Sequence, residues 1–352
     1  MTTQKPNALT FVANLVDQRL SEVFTEEQKR WAIVDGRLVE AIDELADLTH
    51  TGGKRLRAAF CYWSYVGANP EQPVQPAIDA AAACELLQTF ALIHDDIMDD
   101  AATRRGRQTI HVKQAEKLIA LGWQGEPRRF GEGVGILIGD LSHVYADRLI
   151  GDVSWQSRQI WDELRIELNL GQYLDMRSSA AGERDRETAE RVVTFKSALY
   201  TIVRPLQLGA SVAGRPEPEL QQLLANFGGP VGTAFQLRDD LLGILSTEAE
   251  LGKPVGSDLR EGKSTELLAI AVENASAAQR ALLSHVGRDD LSEIEVDGLV
   301  EIFHQTGAIV AIEAKITRLI EESEEAAKLL PYNDEHRHIL IELGRYVASR
   351  NY

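Results

Sequence analysis

His94-Asp95-Asp96-Ile97-Met98-Asp99-Asp100-Ala101-Ala102-Thr103-Arg104-Arg105-Gly106 is the stretch on which the reading of this chain turns. It ends an apolar run, Leu86-Leu87-Gln88-Thr89-Phe90-Ala91-Leu92-Ile93, that suits a buried helix. Residues four apart share a helix face, so Asp95 pairs with Asp99 and Asp96 with Asp100. Two carboxylates ~4 Å apart repel by about 4 kcal/mol at an effective dielectric of ~20. A helix end with so apolar an approach carries that cost when a cation is meant to sit there. Hard oxygen ligands with room for water suit Mg²⁺, which takes one or two carboxylates plus substrate phosphates. A solvated acidic helix end is the plainer reading of any charge run. The apolar approach and a second acidic pair later in the chain weigh against it.

Outward from this stretch, nearly every segment reads with helical period and clean strand alternation is hard to find. Helices are predicted over 9–23, 31–46, 53–66, 76–100, 110–121, 133–150, 154–178, 188–213, 218–245, 266–283, 295–329 and 334–348. Gly, Pro and polar clusters separate them, as at Ala68-Asn69-Pro70 and Gly214-Arg215-Pro216-Glu217. No repeat of fixed period and no long linker interrupts the series. The reading is one all-α domain over 1–352.

The bulk numbers narrow the function. With 352 residues, 44% of them hydrophobic, the chain can bury a large core. Its net charge of −17 argues against non-specific nucleic-acid binding, which needs basic surface. An acidic protein that binds phosphorylated substrates must gather its basic residues locally or use metal ions. Only two cysteines occur, Cys61 and Cys84, both in apolar surroundings, so free core thiols in a reducing compartment are expected. The N-terminus lacks the pattern of a signal peptide. The apolar region 77–93 is broken by Asp79 and Glu85, so no membrane span is expected and the location reads as cytoplasmic.

Other segments carry chemistry of the same kind. Phe235-Gln236-Leu237-Arg238-Asp239-Asp240-Leu241-Leu242-Gly243 puts a second acidic pair near the end of an apolar helix. Two acidic helix ends in one helical domain can face each other across a cavity and hold metal ions between carboxylates and an anionic ligand. Gly252-Lys253-Pro254-Val255-Gly256-Ser257-Asp258-Leu259-Arg260-Glu261-Gly262-Lys263 reads as a loop presenting Lys253 and Lys263 around Asp258. Gly52-Gly53-Lys54-Arg55-Leu56-Arg57 places cations at a predicted helix start, with Lys54 and Arg57 on one face, a setting that favours a diphosphate. Lys196 lies in the apolar stretch Val193–Tyr200 and needs an anionic partner or a route to water. His94 and His111 have no spaced metal-binding partner and stay unassigned.

Taken together and in this order, these segments resemble the trans-isoprenyl diphosphate synthases of the polyprenyl synthetase family, over about 52–263. The resemblance implies a bundle of antiparallel helices around a central cavity, usually a homodimer. It implies head-to-tail, Mg²⁺-dependent condensation of isopentenyl diphosphate with an allylic diphosphate. By resemblance, Asp95 and Asp99 bind two of three ions with Asp96 in support, and Asp239 binds the third with Asp240 nearby. Arg104, Lys196, Gln236 and Lys253 match the allylic-diphosphate contacts, and Lys54, Arg57, Gln88 and Arg105 the isopentenyl-diphosphate site. Arg104, Lys196 and Lys253 thereby act on the leaving group itself.

One departure stands out. The family's second acidic motif commonly has a third carboxylate where this chain has Gly243. Chain length in the family follows the residues four and five before the first Asp, here Ala91 and Phe90. One small and one bulky residue there imply a C20 product, geranylgeranyl diphosphate, with C15 farnesyl diphosphate as the runner-up. Two rivals belong to other classes: a class I terpene cyclase, and a non-catalytic regulatory subunit. A cyclase would not need Lys54 and Arg57, and a regulatory subunit would show degenerate acidic motifs.

Overall fold

The computed structural model describes residues 5–245, 256–288 and 290–349 of the chain. They form helices α1 (Asn7–Val34), α2 (Val39–His50), α3 (Leu56–Ala68), α4 (Gln75–Met98), α5 (Ile110–Ala120), α6 (Pro127–Ile150), α7 (Trp155–Ala181), α8 (Arg186–Val192) and α9 (Arg204–Val212). Then come α10 (Pro218–Leu245), α11 (Ser257–Arg260), α12 (Glu266–Asn274), α13 (Ala277–Leu283), α14 (Glu293–Gln305), α15 (Ala308–Ala327) and α16 (Asp334–Ser349). A π-helical stretch, Val193–Val203, joins α8 to α9. Among the described residues the only sheet is a two-stranded hairpin of β1 (Thr103–Arg104) and β2 (Arg107–Gln108). The all-α reading stands.

The elements gather into two compact units. One comprises Asn7–Tyr62 and Pro73–Val153, and the other holds Trp63–Gln72 and the described part of Ser154–Tyr352. In the first unit α4 is the core helix, packed chiefly on α6 and also on α1 and α2. Its alanines at 80–83 and its Leu86, Leu87 and Ile93 are almost fully buried. Small side chains let neighbouring helices approach closely, and the leucines fill what remains. By length and composition alone α4 is apolar enough to cross a membrane, as the core helix of a globular protein also can be. Two thirds of its most apolar window (67%) is buried inside the protein. In the second unit α10 packs on the π-helical stretch, α15 and α16. Leu237, Leu241, Leu267, Phe303 and Ile312 lie in one buried cluster there.

Helix boundaries differ from expectation where local chemistry overrides periodicity. Helix α1 runs on to Val34 and α2 starts only at Val39, after Asp35 caps a 3₁₀ turn by accepting from the Arg37 amide. The expected helix over 266–283 breaks at Ala275, where Ser276 and Gln279 form a reciprocal capping box. The expected helix over 295–329 breaks at Gly307, whose φ is +73°.

Candidate active site

The acidic end of α4 is built much as its spacing predicts, with one correction. Asp95 and Asp99 keep helical register, because the Asp99 amide donates to the Asp95 carbonyl at 2.9 Å. Helix α4 ends there, and Asp100 adopts a left-handed φ of +51°, so it does not share a helix face with Asp96. Asp96 instead turns inward and is buried.

The hairpin just after this end was not foreseen, and it sorts the two arginines. Arg105 (φ +54°) and Gly106 (φ +73°) are its central residues, the two positive φ values of a type I′ turn. Arg104 reaches back to the acids: its Nε donates to Asp96 Oδ1, and its Nη2 lies 3.5 Å from Asp95 Oδ2. Arg105 goes the other way and donates to the Thr51 carbonyl at 2.5 Å. Its guanidinium lies against Gly52 and Gly53. Burial of Asp96 pushes its carboxyl up to about 6, against the pull of Arg104. Burial, with Arg104, Arg55 and Arg57 nearby, lowers Arg105.

Gly52-Gly53-Lys54-Arg55 is not the start of a helix. Gly52, Gly53 and Arg55 have φ of +70°, +97° and +54°, and α3 begins only at Leu56. Lys54 therefore precedes the helix while Arg57 sits in its first turn, which corrects their expected common face. Arg55, assigned no role from the sequence, is buried on Glu85, Asp17 and the Thr49 carbonyl. Its only sequence signal is Glu85, which with Asp79 interrupts the apolar part of α4. Gln88 follows Glu85 by one turn on α4.

In the second unit, the sequence around Lys196 folds as a π-helix that two flanking helices approach closely through glycines. A side chain at Gly171 of α7 would lie 2.6 Å from the Lys196 amide nitrogen, and one at Gly232 of α10 would lie 2.6 Å from Ala198 Cα. Wide π turns of this kind recur at functional sites. Lys196 finds the anionic partner its burial demanded, donating to Asp175 Oδ2 at 2.6 Å. Ser197 donates to Gln236 Oε1, and Gln236 Nε2 donates to Asp240 Oδ1 at 2.7 Å. Asp239 and Asp240 lie in α10. Arg238, between them and Gln236 in sequence, points elsewhere and clasps Glu313 with both guanidinium nitrogens, at 2.6 and 2.7 Å.

Asp258 stands where the missing third carboxylate would begin. A Cβ at Gly243 would lie 2.3 Å from Asp258 Oδ2. Lys263 Nζ holds the other oxygen of Asp258 at 3.0 Å. Burial drives the Asp240 carboxyl up to about 7, with Asp258 and Asp239 adding to it. Lys253 lies outside the described residues.

Each unit, taken by itself, offers hard-oxygen donors, and one carboxyl in each, Asp96 in the first and Asp240 in the second, is held well above its usual range. Among the described residues no three His, Cys, Asp or Glu side chains already close on one metal position. This donor set fits Mg²⁺ shared with phosphate oxygens rather than a closed structural ion. His94 and His111 stand apart from it. The His94 Nε2 lies 3.2 Å from the Ile136 carbonyl, and His111 is buried in the first turn of α5.

Comparison with known proteins agrees with this reading. The model of the family described as "Polyprenyl synthetase" matches residues 39–303. A "Short chain isoprenyl diphosphate synthase" of Methanothermobacter thermautotrophicus is 30% identical, over 95% of this chain and all of that one. A "Geranylgeranyl diphosphate synthase" of Sulfolobus acidocaldarius is 31% identical over 76% of this chain and 78% of its own. Among solved structures, a geranylgeranyl pyrophosphate synthase from Corynebacterium glutamicum, complexed with isoprenyl diphosphate and magnesium, superposes with a TM-score of 0.91. It is 34% identical and the match covers 99% of this chain and 100% of that one. The chain therefore belongs to the polyprenyl synthetase family and is a trans-prenyl diphosphate synthase, a transferase.

Proposed function

We propose that this enzyme makes geranylgeranyl diphosphate, adding isopentenyl diphosphate head to tail to allylic diphosphates with three Mg²⁺ ions, as one catalytic domain in a cytoplasmic homodimer. The observation that carries the two-substrate reading is the splitting of Arg104 from Arg105. One arginine faces the acidic helix end, and the next faces the turn that bears Lys54 and leads into Arg57. Two diphosphates call for two such cationic faces, and a cyclase acting on one diphosphate calls for one.

In this reading Asp95, Asp99 and Asp239 hold the ions, with Asp96 and Asp240 in support. Bound Mg²⁺ neutralises the charge that grows on the departing diphosphate. Arg104, Lys196, Gln236 and Lys253 orient that diphosphate, and their fixed charges and dipoles are worth most as the allylic C–O bond breaks. Lys54, Arg57, Gln88 and Arg105 hold isopentenyl diphosphate so that its double bond meets the allylic carbon. The new C–C bond forms, and the departing diphosphate accepts the proton whose loss regenerates an alkene. No protein nucleophile is required.

The C20 assignment rests on Phe90 and Ala91. Phe90 is stacked on His143 of α6, ring centroids 4.8 Å apart, and meets the His94 ring edge-on at 4.6 Å. Phe90 is thus turned toward α6, five residues before Asp95 on the same helix. Relatives named as geranylfarnesyl and heptaprenyl diphosphate synthases mark the longer alternatives, and farnesyl diphosphate is the shorter one. The homodimer is supported by apolar side chains left exposed at helical spacing, Ile166, Leu170 and Tyr173 on α7 and Leu137 and Val144 on α6. Such faces on a helix commonly meet a second copy.

The test is turnover of the purified chain with isopentenyl diphosphate, Mg²⁺ and dimethylallyl, geranyl or farnesyl diphosphate, with products separated by chromatography. A main C20 product is expected. Hydrocarbon formed without isopentenyl diphosphate would establish the cyclase reading, and no turnover in isolation the regulatory one. Light scattering at micromolar concentration should give twice the chain mass.

A further inference from the structure

Arg55 is an arginine in the middle of a diphosphate-binding segment that does not face the diphosphate. Its side chain is 5% exposed, as is that of Glu85. The guanidinium is used up by protein groups. Nε and Nη2 donate to Asp17 Oδ1 at 3.0 and 2.6 Å, Nη1 to Glu85 Oε2 at 3.0 Å, and Nη2 also to the Thr49 carbonyl at 2.7 Å. The other oxygen of Glu85 accepts from the Ala58 amide in the first turn of α3 at 3.4 Å.

The backbone accommodates this inward turn at a cost. Arg55 has a φ of +54°, a left-handed conformation rarely adopted by residues other than glycine. A right-handed Arg55 would extend α3 by one residue and bring its start up to Lys54. In the left-handed form Arg55 turns into the core between α1 and α4. Lys54 then lies before the helix start and Arg57 in its first turn.

Charge points the same way. Arg55, Arg57, Arg104 and Arg105 lie close enough for the other three to lower Arg105, and Glu85 opposes them. Four guanidiniums around a site built for an anion repel one another whenever no anion is there. Two buried carboxylates offset them: Asp96 is tied to Arg104 and Glu85 to Arg55.

We infer that Arg55 and Glu85 are positioning residues for isopentenyl-diphosphate binding: their buried ion pair fixes Lys54 and Arg57, through the Gly52–Arg57 segment, to the helix that carries Gln88. The inference rests on the assignment of Lys54, Arg57 and Gln88 to that substrate. Neither Arg55 nor Glu85 touches substrate in this account.

The experiment measures KM for isopentenyl diphosphate, KM for the allylic substrate, kcat and Tm, for wild type, Arg55→Lys, Glu85→Gln and Arg57→Ala. Arg55→Lys keeps the charge but has no fork to reach Asp17, Glu85 and the Thr49 carbonyl together. It should raise KM for isopentenyl diphosphate about tenfold, with KM for the allylic substrate and kcat within about twofold. Glu85→Gln gives opposite answers for two roles. If Glu85 only balances charge, removing it makes the site more cationic and KM for isopentenyl diphosphate falls. If it positions the segment, that KM rises.

A rise in both variants, selective for isopentenyl diphosphate, supports the inference. A fall in Glu85→Gln overturns it, and so does a lower Tm with unchanged KM values in both variants. Equal increases for both substrates overturn it as well. Arg57→Ala separates the two levels. If it leaves KM for isopentenyl diphosphate unchanged, the substrate assignment itself fails. If it raises that KM while Arg55→Lys and Glu85→Gln do not, only the positioning role fails.

Discussion

The carboxylate of Asp258 occupies the space into which a side chain at Gly243 would grow, 2.3 Å from the Cβ position. Glycine at 243 therefore leaves the room that the Asp258 carboxylate of α11 takes beside α10. Gly243→Ala must displace Asp258, which Lys263 holds from its other side. Overpacking of this kind costs about 1–3 kcal/mol. Thermal unfolding should show a lower Tm for Gly243→Ala, and the penalty should shrink when Asp258→Ala is made in the same chain. A penalty equal in both backgrounds would mean that the two positions are not coupled.

Loss of Asp95 or Asp99 should appear in kcat. An ion held with the departing diphosphate acts on charge that exists mainly in the transition state. Removing one such stabiliser costs ~10²-fold or more. Asp95→Ala and Asp99→Ala should each lose at least that much in steady-state assays at saturating Mg²⁺. Near-normal kcat in either variant would take that residue out of the metal site.

These acids were legible in the sequence because their signal is local. Four carboxylates after an apolar helix and a hard-oxygen preference need no tertiary knowledge. The need of Lys196 for an anion was legible for the same reason, but its partner Asp175 was not, since that contact depends on how α7 packs beside the π-helical stretch. The turn at Arg55 was hidden because helical period after Gly53 looks unbroken, whereas Arg55 has a φ of +54° and pairs with Glu85 and Asp17, which lie far from it in sequence. The hairpin at Arg105-Gly106 has only half of a type I′ signal: Gly106 suits the second positive φ, but Arg105 is not one of the residues that favour the first.

Asp240 gives a pH signature in the metal-free protein. Burial raises its carboxyl from the usual 3.8 to about 7. Between those values the folded protein keeps a proton that the unfolded chain has lost. The contribution of this group to stability is fully present below about 4 and is lost as pH rises through about 7. Asp240→Asn is neutral throughout. In EDTA, Tm of Asp240→Asn should gain on wild type as pH rises across that window. Adding Mg²⁺ and inorganic diphosphate at pH ~8 should favour wild type, because only the carboxylate gains from the cation. Parallel Tm curves in EDTA would show that Asp240 ionises normally.

Product length is the finest-grained consequence of the geometry around α4. Ala91 lies one turn before Asp95, roughly 6 Å along the helix at ~1.5 Å rise per residue, and nearly on the same face. A chain that grows down this face from the acidic end meets position 91 early. Ala91→Phe should therefore shorten the main product from C20 toward C15. Phe90 lies on the flank, fastened by the stacked His143 ring and the edge of His94. The His94 ring itself fits because residue 139 is glycine, where a Cβ would come within 2.4 Å of it. Phe90→Ala removes the wall outright and should lengthen the product. His143→Ala leaves the wall in place but unfastens it, so it should broaden the distribution upward with a smaller shift. Chromatography of products from farnesyl diphosphate and excess isopentenyl diphosphate reads all three. A wild-type distribution in both Ala91→Phe and Phe90→Ala would mean that this face of α4 does not measure the chain.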